Sequence, residues 1–224
     1  MKGLLKRQAR NSNIVETIDG IKDIFKEREM TAQPLLKEDE RYTYADYLSW
    51  DDDQRWEIIE GVPYLMSPAP TWVHQEKNGE LYRQFANFLK GKPCKVFHAP
   101  FDVRLFPADD NSDSTIVQPD IVVICNRSII RGTGCAGAPD MAVEVLSPGT
   151  ARLDRLVKFR LYQKAGVREY WIVDLETKTV SVHILKDGEY MTKVYGNADI
   201  VPVYALEGLS INLSDVFVDD ETDA

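Results

Sequence analysis

Histidine and cysteine are scarce in this chain, three of each among 224 residues. Cys94, Cys125 and Cys135 are odd in number and show no C-x-x-C spacing. Neither a zinc site nor a disulfide framework is indicated, and a reduced, cytoplasmic setting is the expectation. His74, His98 and His183 show no ligand spacing; His74 is read as a structural hydrogen-bonding residue, outside any metal set. No apolar run approaches the roughly 20 residues that a membrane helix needs. The opening residues, MKGLLKRQAR, are basic, but no signal-peptide apolar core follows them. Repeats and low-complexity segments are missing too. Positive charge is the last deficit: 27 Lys and Arg face 36 Asp and Glu, a formal net charge of −9. That balance argues against indiscriminate nucleic-acid binding, because affinity for phosphate backbones comes largely from Lys and Arg.

What is present suits one globular domain. The length is enough to bury a core, and 44% hydrophobic with 28% charged residues are ordinary values. Charge is spread unevenly. Acids gather at 38–40, 51–53, 109–113 and 219–223, whereas Arg127, Arg131, Arg152, Arg155, Lys158, Arg160, Lys164 and Arg168 outweigh the acids around them. A locally positive face around a few acids suits a phosphodiester substrate. The plainer reading is a solvated helix face with i,i+4 pairs such as Asp154–Lys158.

Residues 117–174 hold nearly all the chemical potential of the chain. VQPDIVVI (117–124) is a β-branched apolar run that suits a buried strand, and Asp120 sits inside it. A second apolar run, 141–146, is interrupted by Glu144. Burying an ionised carboxylate costs several kcal/mol unless it is paired, hydrogen-bonded or bound to a metal. Period-two alternation puts Ala142, Glu144 and Leu146 on one face and Met141, Val143 and Val145 on the other, so Glu144 projects from a small-residue face with room for a ligand. Ser147-Pro148-Gly149-Thr150 breaks the strand. Thr150 is placed to cap a helix over 151–165 that Gly166 stops, with Leu153, Leu156, Val157, Leu161 and Tyr162 as its apolar stripe. REYWIVD (168–174) is a third strand. Strand, crossover helix, strand is βαβ order, and the class is α/β (α+β), a central mixed sheet flanked by helices.

Elsewhere, Thr43 caps a short helix to about Trp50, and 56–59 with 62–66 reads as a hairpin about Glu60-Gly61. Residues 71–89 are amphipathic, with Val73, Leu81, Phe85, Phe88 and Leu89 on one side. Residues 94–106 read as one long strand bent at Pro100, with Asp102 and Arg104 forming an ion pair. Residues 180–185 and 190–195 form a hairpin over Asp187-Gly188, and 209–217 is a short docking segment. The chain divides into a peripheral extension (1–29), a domain (30–217) and an acidic tail (218–224).

Four segments together, VQPDIVVI, AVEVLSP, D-x-x-x-K at Asp154 and Lys158, and Y-x-x-x-GVREYWIVD from Tyr162, resemble the Uma-type restriction endonuclease family. That family is long catalogued as a domain of unknown function within the PD-(D/E)XK nuclease superfamily. WEIIEGVPYLMSPAPTWVHQEKNGEL (56–81) is similar to its N-terminal block, so the resemblance covers about 30–217. It implies a restriction-endonuclease-like fold and a metal-dependent endonuclease that hydrolyses phosphodiester bonds of DNA. Mg2+ (or Mn2+) would be held by Asp120, Glu144 and the backbone carbonyl of Val145, since magnesium takes hard oxygen ligands and waters. The superfamily's lysine two residues after the second acid is here Leu146, and Lys158 on the helix is placed to replace it. Glu57 is a candidate further acid, its alternative being an ordinary exposed strand residue. Arg152 and Arg155 are candidates for substrate contact. A homodimer with two symmetric sites is expected by analogy, and no membrane partner. Two other classes stay open: a catalytically weak nuclease-fold module that binds nucleic acid or a protein partner, and a two-carboxylate glycosidase.

Overall fold

The computed structural model describes residues 40–66 and 69–218. The expected extension (1–29), its junction at residue 30 and all of the acidic tail after 218 lie outside them. α1 (Tyr44–Tyr47) is a single turn fixed by a capping box between Thr43 and Asp46. β1 (Trp56–Ile59) and β2 (Val62–Leu65) form the expected hairpin, with Glu60 and Gly61 both at positive φ. α2 (Trp72–Leu89) starts at its Thr71 cap and buries His74, Lys77, Leu81, Phe85 and Leu89 along one face.

Two expected strands are each divided in two. Residues 94–106 become β3 (Lys95–His98) and β4 (Asp102–Arg104), which diverge at the cis peptide Ala99–Pro100 and join different sheets. Residues 117–124 lie across β5 (Ile116–Val117) and β6 (Ile121–Ile124), again in different sheets. Pro119 has no N–H for a ladder, so the chain changes sheets there, and Asp120 stands at the entrance to β6 rather than inside a strand. β7 (Ile130–Arg131), β8 (Gly134–Ala136) and β9 (Met141–Val145) follow. The expected helix begins at Ala151, turns π-helical over Leu153–Lys158, and continues as α3 (Phe159–Ala165), stopped by Gly166 at φ 85°. β10 (Glu169–Asp174) leads into the expected hairpin of β11 (Thr179–Lys186) and β12 (Glu189–Gly196). β13 (Ile200–Pro202), β14 (Ser210–Asn212) and α4 (Leu213–Val216) close the described chain.

A six-stranded sheet, β12-β11-β10-β9-β6-β3, is the centre of the molecule. It is mixed: β9 and β10 run parallel through the helical crossover, while β6 pairs antiparallel with β9. One face packs on α2 and the segment leading to α4, through Val143, Val145, Trp171 and Phe85 among others. The other packs on α3 and on a second six-stranded sheet, β2-β1-β5-β4-β8-β7, through Ala142, Tyr162, Tyr170, Ile172 and Val117. The α/β class with helices on both faces therefore holds, and the second sheet is the addition.

Two further expectations are corrected. Cys94 and Cys125 form a disulfide with S–S 2.07 Å. The β3–β6 ladder pairs Lys95 with Ile124, so the two cysteines face each other one step beyond it, a proximity the 31-residue separation conceals. Arg104 pairs with Asp113, not with Asp102. Asp102 instead accepts hydrogen bonds from Tyr47, Gln118 and Thr133.

Candidate active site

Alternation along β9 turns Glu144 to the same side as Ala142, toward the helix, as expected. The room beside it is filled by the protein itself. Lys158 Nζ lies 2.9 Å from Glu144 Oε1, 2.8 Å from Glu57 Oε1 and 3.3 Å from Asp154 Oδ1. Tyr162 donates its hydroxyl to Glu144 Oε1 at 3.0 Å. Glu57 arrives from β1 in the second sheet, where the backbone N–H of Gln118 donates to its Oε1 at 2.7 Å. Lys158 and its three carboxylate partners have side chains no more than 6% exposed. The cluster therefore sits in the seam between the two sheets and the helix. Asp154, Lys158 and Tyr162 stand four residues apart on the inner face, and π-helical turns of this kind occur often at functional sites.

Three carboxylates around one ammonium set the electrostatics. Burial pushes the Glu144 carboxyl well above the usual range; Lys158 opposes this, while Asp154, Asp120 and Glu57 add to it. Burial likewise raises Asp154, against the pull of Lys158. For Lys158, burial disfavours the charge, but Glu144, Glu57 and Asp154 outweigh it and hold the ammonium protonated well above its ordinary range. The surface Asp154–Lys158 pair expected from the sequence is thus a buried one.

Asp120 lies at the open end of this cluster. Ile121 pairs with Val143, so continuing the register by one residue sets Asp120 across from Glu144. Its Oδ2 accepts from Val145 N at 2.8 Å, and its side chain is 22% exposed, more open than Glu57, Glu144, Asp154 or Lys158. His74 Nε2 lies 2.9 Å from the Val145 carbonyl oxygen and 3.5 Å from Asp120 Oδ2. Burial works against protonation of His74, yet the hydrogen bond and charge of Asp120 and the Val145 carbonyl together raise its pKa. Arg155 donates to Asp174 Oδ2 at 2.6 Å, at the end of β10 where Val173 pairs with Val145. Arg152 is exposed, one turn of chain away.

The structure therefore draws Glu57, Glu144 and Lys158 into one cluster, with Asp120 and the Val145 peptide at its edge and the two arginines outside it. The structure adds two residues to the cluster that the sequence places elsewhere, Asp154, expected on a solvated face, and Tyr162, expected in an apolar stripe; His74 is the buried hydrogen-bonding residue expected, with Val145 and Asp120 beside it. The signal for the first two was present in their spacing, since acid, lysine and tyrosine at four-residue steps share a face with Leu161. Nothing in the sequence linked His74 to Asp120.

Do these residues suit a divalent ion? Hydrogen bonds to Asp120 fall on Oδ2 and those to Glu144 on Oε1, so Asp120 Oδ1 and Glu144 Oε2 take none from the described residues. Val145 O keeps a second lone pair beside His74. Among the described residues no three His, Cys, Asp or Glu side chains converge as a metal cage. Two carboxylates, a carbonyl and waters are the donor set that magnesium takes, and an acid raised by burial and like-charged neighbours is one that a cation discharges by displacing its proton. The donors fit.

Residues 44–214 match the family Uma2, "Putative restriction endonuclease". The chain is 28% identical over 173 residues to the uncharacterized protein slr1290 of Synechocystis sp., covering 75% of this chain and 85% of that relative. Its fold is similar to the crystal structure of a putative nuclease belonging to DUF820 from Anabaena variabilis, with a TM-score of 0.64 at 22% identity, covering 79% of this chain and 97% of that one.

Proposed function

We propose that this chain, which belongs to the Uma2 putative restriction endonuclease family, hydrolyses phosphodiester bonds of DNA with Mg2+ or Mn2+ held between Asp120 and Glu144. One observation carries the reading: two acids facing across adjacent strands, each with an oxygen left free, beside a buried lysine. Asp120 Oδ1, Glu144 Oε2 and the spare lone pair of Val145 O would hold the ion. When bound it supplies charge for the phosphate and an acidified water.

The chain's own residues do the rest. Lys158, kept protonated by three acids, acts as a fixed positive charge and not as a base; it offsets charge that develops on the phosphate. Glu57, itself held by the Gln118 N–H, fixes where that ammonium stands. Arg152 contacts the phosphate backbone near the end of the sheet, and Arg155 does so only by leaving Asp174. Two copies, each offering one site, would cut the two strands of a duplex.

A second reading has its own support. Leu146 occupies the position where the superfamily carries its lysine, and Glu144 and Lys158 are almost closed to solvent. A catalytically weak module that binds nucleic acid or a protein partner would look like this. Supercoiled plasmid incubated with the protein, with and without Mg2+ or Mn2+, decides between the two. Nicking that needs the ion and is lost in Glu144→Gln supports the enzyme; no cleavage with any divalent ion supports the module.

A further inference from the structure

We infer that His74 is a positioning residue for the ion site, acting through Asp120 and the Val145 peptide. The inference rests on the divalent-ion reading above. His74 lies in the first turn of α2, with its backbone N–H donated to the Thr71 hydroxyl at 3.3 Å, so its main chain is fixed by the helix start. The ring is buried, 7% exposed, between α2 and the ends of β6 and β9. Its Nε2 approaches two acceptors, Val145 O at 2.9 Å and Asp120 Oδ2 at 3.5 Å. Val145 N in turn donates to the same Asp120 Oδ2 at 2.8 Å.

These contacts make a closed loop of carboxylate, peptide and imidazole that ties three elements together. A carbonyl oxygen only accepts, so Nε2 carries the hydrogen and has no lone pair for a metal. Nδ1 is buried without a partner. His74 therefore orients the donors and does not join them. Val145 N holds Oδ2 and the His74 ring stands 3.5 Å from the same oxygen, so the Asp120 carboxylate is restricted in how it turns, and Oδ1 is the oxygen with no hydrogen bond from the described residues. Groups that orient a ligating carboxylate in this way are typically worth 10–100-fold in metal affinity.

The test is Mn2+ binding to the full chain, read by electron paramagnetic resonance or calorimetry, so that no turnover is needed. His74→Ala is expected to weaken Mn2+ binding by about 10–100-fold. His74→Gln, which keeps an N–H donor on a side chain of similar reach, is expected to recover most of that loss. Thermal midpoints of both variants are measured alongside, because a buried ring leaves a hole. The positioning role is overturned if His74→Ala binds Mn2+ as the wild type does. It is also overturned if His74→Gln recovers stability without recovering affinity. Wild-type protein that binds no Mn2+ removes the ion reading itself, and this role with it. Wild-type binding that Asp120→Asn abolishes and His74→Ala leaves intact removes only the role of His74.

Discussion

Asp102 and Glu144 are both acids buried in strands, and the molecule treats them differently. Asp102, in the second sheet, accepts from Tyr47 and Gln118 on Oδ1 and from Thr133 on Oδ2. All three donors are neutral and both oxygens are committed. Glu144, in the central sheet, accepts on one oxygen only, from an ammonium and a phenol; burial first, and then the nearby Asp154, Asp120 and Glu57, push its pKa up. Burial alone thus does not mark a functional acid. What separates the two is the count of free lone pairs and the crowding of like charge, which structural acids avoid.

The largest effect should come from Lys158→Met. Removing the ammonium leaves three buried carboxylates facing one another, a loss of about 3–5 kcal/mol in chemical denaturation, together with loss of plasmid cleavage. Wild-type stability at neutral pH would make the ammonium dispensable and erase the contrast with Asp102. The same lysine gives a pH signature. Its folded pKa lies above the unfolded 10.5, so its contribution is complete below that value and fades as pH rises through the folded pKa. The variant should lack this alkaline loss.

Exchanging the two acids for their amides sharpens the comparison directly. Asp102→Asn disrupts a satisfied network and should cost about 1–3 kcal/mol with Mn2+ binding unchanged. Glu144→Gln should do the reverse, abolishing ion-dependent cleavage at little or no cost in stability. Glu144 and Asp154 have folded pKa values above the unfolded 4.5 and 3.8, so they favour folding when protonated. Wild-type stability therefore falls as pH climbs from these values through the folded ones, and Glu144→Gln should flatten that fall in urea midpoints. An Asp102→Asn protein that loses Mn2+ as well would mean the two regions are one site.

The smallest effect belongs to Arg152→Ala. An exposed side chain should change stability by less than about 0.5 kcal/mol. Its loss should lower the salt slope of oligonucleotide binding by about 1 if it contacts a phosphate. An unchanged slope leaves Arg152 as ordinary solvated charge.

Local rules read directly from residues explain much of what was legible. Thr71 starts α2, Gly166 stops α3, Glu60-Gly61 and Asp187-Gly188 make the two hairpins, and alternation along β9 sends Glu144 to the helix side. These are contacts of a residue with its near neighbours in the chain. The breaks at Pro100 and Pro119 are not legible in the same way, because a proline can bend a strand or end it, and only the partner strands decide which.

Residue pattern alone sets the α/β class, the strand that carries Glu144, the helix that carries Lys158 and the strand that follows it, because propensity and periodicity act within a few residues; the second sheet and the place of Asp120 at the entrance to β6 lie beyond that reach. Tertiary structure alone decided which charges meet. Glu57 and Lys158 are 101 positions apart in the chain, and the packing of the second sheet against the first brings their atoms to 2.8 Å. His74 reached Asp120 only when α2 docked on the sheet end, and Cys94 met Cys125 only through the β3–β6 ladder. Charge and hydrogen-bond energies depend on distance in space and on exclusion of water, and neither is a property of position along the chain.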